Sequence, residues 1–326
     1  MRAVPEEVAQ QPSRRVLVTG GSGFLGRSVV AGLAAAGHDV VSADLREPAA
    51  PTPGVRHVVM DVTDAARVGE VIGEARPEVV VHLASIVTPG PGSTRELQRA
   101  VDVDGSRHVL DACIEHGVRR VVVSSSGAAY GYHPDNPAWI TEDQPLRGNE
   151  EFAYSHHKRL VEEMLTELRG AYPELEQVVL RIGTILGATV DNQITALFER
   201  KRLLRIRGSE SPFVFIWDTD VVAIIEQAVT GPVTGVFNVA GDGAVTIDEV
   251  AALLEKPVLT VPEPVLRAAL AIGSRLGLTA YGPEQTRFLQ YRPVLDNTRL
   301  KTVFGYIPTR TSRQAFDDWR GARRSY

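Results

Sequence analysis

Short uninterrupted runs of apolar residues alternate, through the first half of the chain, with stretches whose apolar positions recur every three to four residues. The runs fall at 15–19, 39–43, 55–60, 78–82, 119–125 and 177–182. The periodic stretches fall at 24–36, 65–75, 94–116 and 152–169. A strand that is apolar on both faces belongs to a sheet covered on both sides. Strands separated by helical crossovers pair in parallel, and crossovers of one hand wind the sheet both ways from its centre. The pattern therefore predicts an α/β fold built on a doubly wound parallel sheet. Beyond residue 183 the pattern loosens. A helix is predicted at 191–200 and a strand at 235–239. Thr246-Ile247-Asp248-Glu249 has the form of a capping box, which opens a further helix. Residues 261–297, rich in Pro, Leu, Ala and Arg, are predicted to form a lid.

Composition narrows the chemistry. The 326 residues carry a net charge of −5 and no long basic run, so nucleic acid is not an expected partner. The Arg200-Lys201-Arg202 cluster is read as a solvated helix end. Cys113 is the single cysteine, which excludes an intrachain disulfide and a cysteine-built zinc site; it is expected to be a small buried apolar residue. No apolar stretch is long enough to span a membrane, and 265–278 is interrupted by Arg267 and Arg275. The N-terminus lacks the apolar core of a secretory signal. A cytoplasmic location is the default expectation.

Thr19-Gly20-Gly21-Ser22-Gly23-Phe24-Leu25-Gly26 joins the first predicted strand to the first predicted helix. Glycines there let the backbone turn and approach a pyrophosphate, and the helix start offers free N–H groups. Gly21, Gly23 and Gly26 fit the common dinucleotide spacing; Gly20, Gly23 and Gly26 fit a wider one, and both registers stand. Asp44 follows Gly26 by 18 residues. Its carboxylate is suited to accept hydrogen bonds from the adenosine ribose, which favours NAD over NADP. Arg46, just past Leu45, is the competing signal, because a guanidinium suits a 2′-phosphate. Asp61-Val62 is expected near the adenine, and His82-Leu83-Ala84-Ser85 beside the middle of the cofactor. The expected organisation is a flexible tail at 1–13, a Rossmann-type NAD-binding domain with a catalytic helix at 14–183, and a small C-terminal substrate-capping region at 184–326 interleaved with the last elements of the sheet.

Tyr154 and Lys158 stand four apart on a predicted helix and share a face. A nearby ammonium favours phenolate and is expected to lower the Tyr154 pKa towards neutrality. The phenol then exchanges a proton with an alcohol oxygen while hydride moves to or from the nicotinamide. With these residues in view, the chain resembles the extended short-chain dehydrogenase/reductase family, also called the NAD-dependent epimerase/dehydratase family, over about residues 14–250. Thr19 to Gly26 resembles its TGxxGxxG loop. Ser124-Ser125-Ser126-Gly127-Ala128-Ala129-Tyr130-Gly131 resembles its fifth-strand signature. Val101-Asp102-Val103-Asp104-Gly105-Ser106 resembles its helix motif, with Asp102 where Asn is usual. The resemblance implies Ser126, Tyr154 and Lys158 as catalytic residues, with Ser124 and Ser125 supporting the nicotinamide side. It also implies cofactor contacts from Phe24, Leu25, Tyr154 and Lys158, and from the backbone at Ile182, Gly183 and Thr184.

Two departures bear on substrate. Sugar-nucleotide members usually have Asn where Thr184 stands, and a diphosphate-anchoring Arg where Phe213 stands. A diphosphate needs charge-assisted donors and a benzyl group has none; Arg205, Arg207 and Arg287 are the alternatives. Phe213 and Trp217 are therefore expected to line a pocket more apolar than that of a nucleotide-sugar epimerase. His156 and His157 are expected to face solvent or pack, and no metal is expected. A homodimer through the helices at 94–116 and 152–169 is admitted by the resemblance. Three functions compete. One is an NAD(P)-dependent oxidoreductase acting on a small secondary alcohol or ketone. The second is a sugar epimerase or dehydratase that retains NAD and reoxidises it within each cycle. The third is a non-enzymatic NAD-binding sensor or assembly protein, which needs neither Tyr154 nor Lys158.

Overall fold

A computed structural model of the chain describes residues 13–90, 92–278 and 282–324. The expected tail lies outside them except for Ser13, and so do three residues of the expected lid. The strands in chain order are β1 (Arg15–Thr19), β2 (Asp39–Asp44), β3 (Arg56–Val59), β4 (Val79–His82), β5 (Arg120–Ser126), β6 (Glu176–Ile182), β7 (Thr184–Leu186), β8 (Leu203–Ile206), β9 (Phe215–Trp217), β10 (Gly235–Val239) and β11 (Val258–Val261). The helices are α1 (Phe24–Ala35), α2 (Ala65–Ala75), α3 (Arg95–Arg99), α4 (Gly105–Glu115), α5 (Ala153–Ala171), α6 (Gln193–Phe198), α7 (Asp218–Thr230), α8 (Ile247–Leu254), α9 (Glu263–Arg275), α10 (Gln285–Gln290) and α11 (Ser312–Arg324).

Seven strands form one parallel sheet in the order β10-β6-β5-β4-β1-β2-β3. Alternation along each strand sends side chains to two opposite apolar layers. Leu17, Val80 and Val121 pack against Val71 of α2, Leu110 of α4 and Leu165 of α5. Val16, Val18, Val81 and Val122 pack against Val29 and Leu33 of α1 and Ile224 and Ile225 of α7. Both faces are covered, which is why the strand sequences carry no polar alternation. Cys113 is buried in the first layer, and burial pushes its thiol pKa up.

The 94–116 stretch is interrupted: α3, capped by the Thr94 hydroxyl, runs through a π-helical turn at Ala100–Asp104 into α4. The 191–200 helix shortens to α6, because the Asn192 side chain caps it by accepting from Ile194 and Thr195 amides. The capping box forms, with the Thr246 hydroxyl accepting from the Glu249 amide at 3.2 Å. Two small parallel pairs, β7 with β9 and β8 with β11, escaped the sequence reading because strands of three or four residues show no usable period. Residues 261–297 hold α9, which buries none of its residues, and α10. Among the described residues no helix is long and apolar enough to cross a membrane.

Candidate active site

Strand order reverses between β1 and β4, and the crevice outside the carboxyl ends of such strands is where open α/β sheets bind ligands. A cavity of about 420 Å³ lies there, with Gly20, Gly23 and Gly26 at one end and Phe213, Arg292 and Leu295 at the other. Gly20 has φ +70°, and a Cβ on it would stand 2.7 Å from the Ala84 amide nitrogen. A Cβ on Gly26 would stand 2.0 Å from the Gly20 carbonyl oxygen. Glycine is therefore compelled at both positions, whichever register is written. α1 starts with no side-chain cap, so its first-turn amides and dipole remain for an anion. The loop, the uncapped helix start and the open cavity fit a dinucleotide pyrophosphate.

Phe24, Leu25, Leu83, Ser124, Tyr154, Lys158, Ile182, Gly183 and Thr184 also line this cavity. Asp44, Leu45, Arg46, Asp61, Val62 and Ala84 stand outside its wall. Asp44 Oδ2 accepts from the Ser22 amide at 2.9 Å, which ties the end of β2 to the glycine loop. Leu45 and Arg46 are exposed beside it. Asp61 accepts from the Thr63 amide and hydroxyl, while Val62 is buried against Gly105.

At the chemical end, alternation along β5 turns Ser124 and Ser126 one way and Ser125 the other. The Ser124 carbonyl accepts from Lys158 Nζ at 2.9 Å, and its hydroxyl donates to the His82 carbonyl at 3.3 Å. The Ser125 hydroxyl instead donates to Glu162, which Arg181 grips through Nε and Nη2. Ser125 also lines the cavity, but its hydroxyl is turned away to this pair and braces the strand from behind. Ser126 Oγ accepts from the Ala128 amide at 3.1 Å and lies close enough to the Tyr154 phenol to favour its ionised form.

The Tyr154 pKa is pushed up to about 12, first by burial, with the Asp102 charge adding to the rise and the Ser126 bond opposing it. The expected lowering by Lys158 is overturned. The ammonium is engaged by the Ser124 carbonyl and stands 5.5 Å from the centre of the Tyr154 ring, so desolvation of the phenolate wins. Burial likewise holds the Lys158 pKa below the ordinary lysine value, against the raising effect of Asp102 and Glu162.

Trp217 does not line the cavity. It packs among Leu186, Phe215 and Phe316, with the Arg310 guanidinium 4.5 Å from its ring, because β9 points it into the C-terminal core. Phe213 does line it, and is stacked on Phe215. Of the expected alternative cations, Arg205 pairs with Asp248 and Arg287 with Glu151, and neither lines the cavity.

Sequence reading missed three groups near the site. Asp102 is buried, accepting from the Ser85 hydroxyl at 3.0 Å, the Ile86 amide at 2.8 Å and the ring of His157 at 2.9 Å. Its departure from the usual Asn was the visible signal; its partner His157 was not. Tyr132 and Phe288 meet edge to face at 5.3 Å in the cavity wall. Arg292 enters from the segment after α10, where no periodicity or motif marked it.

The profile of the NAD dependent epimerase/dehydratase family matches residues 16–240. The chain belongs to that family. It is an NAD-dependent enzyme of the family, with the Rossmann-like sheet of its fold. Among relatives, the 3-diazoavenalumate denitrifying reductase of a Streptomyces species is 30% identical over 310 residues, 91% of this chain and 97% of the relative. A short-chain dehydrogenase/reductase superfamily protein of Agrobacterium tumefaciens, solved with bound NAD, superposes with TM-score 0.71 at 26% identity, covering 95% of this chain and 97% of that one. WbmG of Bordetella bronchiseptica, solved with NAD and UDP, superposes with TM-score 0.75 at 22% identity, covering 98% and 97% of the two chains.

Proposed function

We propose that this family member is a net oxidoreductase, transferring hydride between NAD and the carbonyl or carbinol carbon of a small, largely apolar substrate. The observation that carries the reading is the Tyr154 phenol, half-buried, held protonated and set beside Ser126, in a cavity whose far wall is aromatic. Bound NADH supplies the hydride. Tyr154 gives its proton to the carbonyl oxygen, and the Ser126 hydroxyl holds the same oxygen in place. Lys158, fixed by the Ser124 carbonyl, places a positive charge beside the phenol as it becomes phenolate. Asp44, whose carboxylate ends β2 and is tied to the Ser22 amide of the glycine loop, supports preference for NAD over NADP. The Streptomyces relative, aligned over nearly its whole length, is named a reductase, which supports net reduction over internal epimerisation.

The test is NADH consumption by the purified protein across a panel of ketones and, separately, nucleotide sugars. Stoichiometric oxidation of NADH with an apolar ketone supports the reading. Turnover of nucleotide sugars alone, with no net change in NADH, replaces it by the epimerase or dehydratase reading.

A further inference from the structure

Three charged side chains line the cavity: Lys158, Asp191 and Arg292. Lys158 is committed to the Ser124 carbonyl, and Asp191 is paired with Arg323 at the rim. Arg292 has no acid partner among the described residues and, like Lys158, is held by a backbone carbonyl. Its Nε and Nη2 donate to the Ser211 carbonyl at 3.1 and 2.6 Å, and its amide donates to the Ser211 hydroxyl at 3.2 Å. Its Nη1 has no hydrogen-bond acceptor among the described residues and is closed off from solvent, so a ligand in the cavity reaches it only if the wall around it shifts. Among the described residues no carboxylate pairs with it: burial holds its pKa down to about 9, and the one opposing influence is the Tyr132 phenol. Burial pushes that phenol's own pKa upward, so Tyr132 stays neutral and is no counterion.

The guanidinium is also held in a fixed plane. Its carbon lies 3.8 Å from the centre of the Phe213 ring and 5.6 Å from that of Phe288. Ser211, which holds it, has φ +26°, a strained value for a residue with a side chain. A half-buried cation with no acid beside it is costly unless an anion completes it, and strain at a clamp signals that the clamp's aim matters.

We propose that Arg292 anchors the carboxylate of a flat, aromatic or conjugated substrate, whose carbonyl is presented to Tyr154 and Ser126. This rests on the hydride-transfer reading and specifies its substrate class. The acid's plane suits the gap bordered by Phe213, Phe288 and Tyr132, and its single charge matches the single guanidinium in that wall. A nucleoside diphosphate fits poorly: Phe213 offers it no donor, and the Asp191 carboxylate stands in the wall.

The test is calorimetric binding to the NAD-loaded full-length protein, without turnover. The probes are para-acetylbenzoate, its neutral amide para-acetylbenzamide, and UDP. The acid is expected to bind about 10- to 100-fold more tightly than the amide, the worth of one charge-assisted hydrogen bond. Arg292→Met is expected to abolish that preference and leave NAD affinity unchanged; Arg292→Lys is expected to keep part of it. Equal binding of acid and amide by the unaltered protein overturns the proposal, even if the variants do not fold. So does tighter binding of UDP than of the acid, or an Arg292→Met protein that keeps the preference. Ketone reduction with no preference for acids removes the anchor but leaves the oxidoreductase reading. Arg292-dependent binding without any ketone turnover removes that reading and leaves the anchor.

Discussion

Tyr154 is a phenol before it is a base. Its pKa, pushed up to about 12, leaves the protonated form dominant at neutrality, which is the form that ketone reduction consumes. Reduction is therefore expected to run on a plateau through neutral pH. Alcohol oxidation needs the phenolate, and its rate is expected to climb with pH by about tenfold per unit until another step limits it. Initial rates in both directions across a pH series check this; an oxidation rate that is flat from neutrality upward contradicts it. Tyr154→Phe is expected to lower turnover by about 10²- to 10⁴-fold, the usual scale of general acid–base catalysis, while a fluorescence titration shows NAD affinity intact. Asp44→Ala is expected to weaken NAD and narrow its advantage over NADP in the same titration. That Ser126, Tyr154 and Lys158 share one cavity wall was legible because a strand end and one helix face fix their positions. The direction of the Tyr154 shift was not, because it depends on where the ammonium points, and the Ser124 carbonyl decides that. Trp217 was misplaced for a similar reason: β9 is three residues long, and sequence does not say which of its faces meets the cavity.

Among the elements, the glycine loop and the π-helical turn shape the site most. A Cβ at Gly26 would collide with the Gly20 carbonyl, backbone that has no room to yield. Gly26→Ala is accordingly expected to abolish measurable NAD binding, with far-ultraviolet circular dichroism little changed. The π turn at Ala100–Asp104 carries Asp102, a buried carboxylate with three donors, beneath the loop that follows β4. Asp102→Ala strands the Ile86 amide and the His157 ring, at about 1–3 kcal/mol for each unsatisfied buried group; denaturant unfolding reads that loss. Asp102→Asn keeps an acceptor but removes a charge that raises the Tyr154 pKa, so the oxidation limb of the pH profile is expected to move to lower pH. The helices and long strands of the first half were legible within a few residues. The interruption between α3 and α4 was not, since a π turn shifts the register without changing the apolar composition.

For the whole molecule, the doubly wound parallel sheet and its two covered faces followed from unbroken β-branched runs, whereas the strand order and the arrangement after residue 183 had to be seen. Its strands are short, and the one cation it contributes to the cavity, Arg292, is held by a loop carbonyl rather than by a periodic element. At the centre of the sheet, His82 is buried between the Thr19 and Ser106 hydroxyls, and burial lowers its pKa from 6.5 to about 3. The unfolded chain therefore takes up a proton that the folded chain refuses. Stability is complete above pH 6.5 and falls as the pH drops towards 3. Urea midpoints are expected to decline over that window, and to decline less steeply in His82→Asn. The claim on which the function rests is net hydride transfer with release of the product. It is tested most directly by following deuterium from NADH labelled at its transferable position into para-acetylbenzoate, by mass spectrometry. The expected result is a released alcohol carrying one deuterium for each NADH oxidised, lost in Tyr154→Phe. The contradicting result is a nucleotide sugar inverted at one carbon, with the label never leaving the enzyme and no ketone reduced.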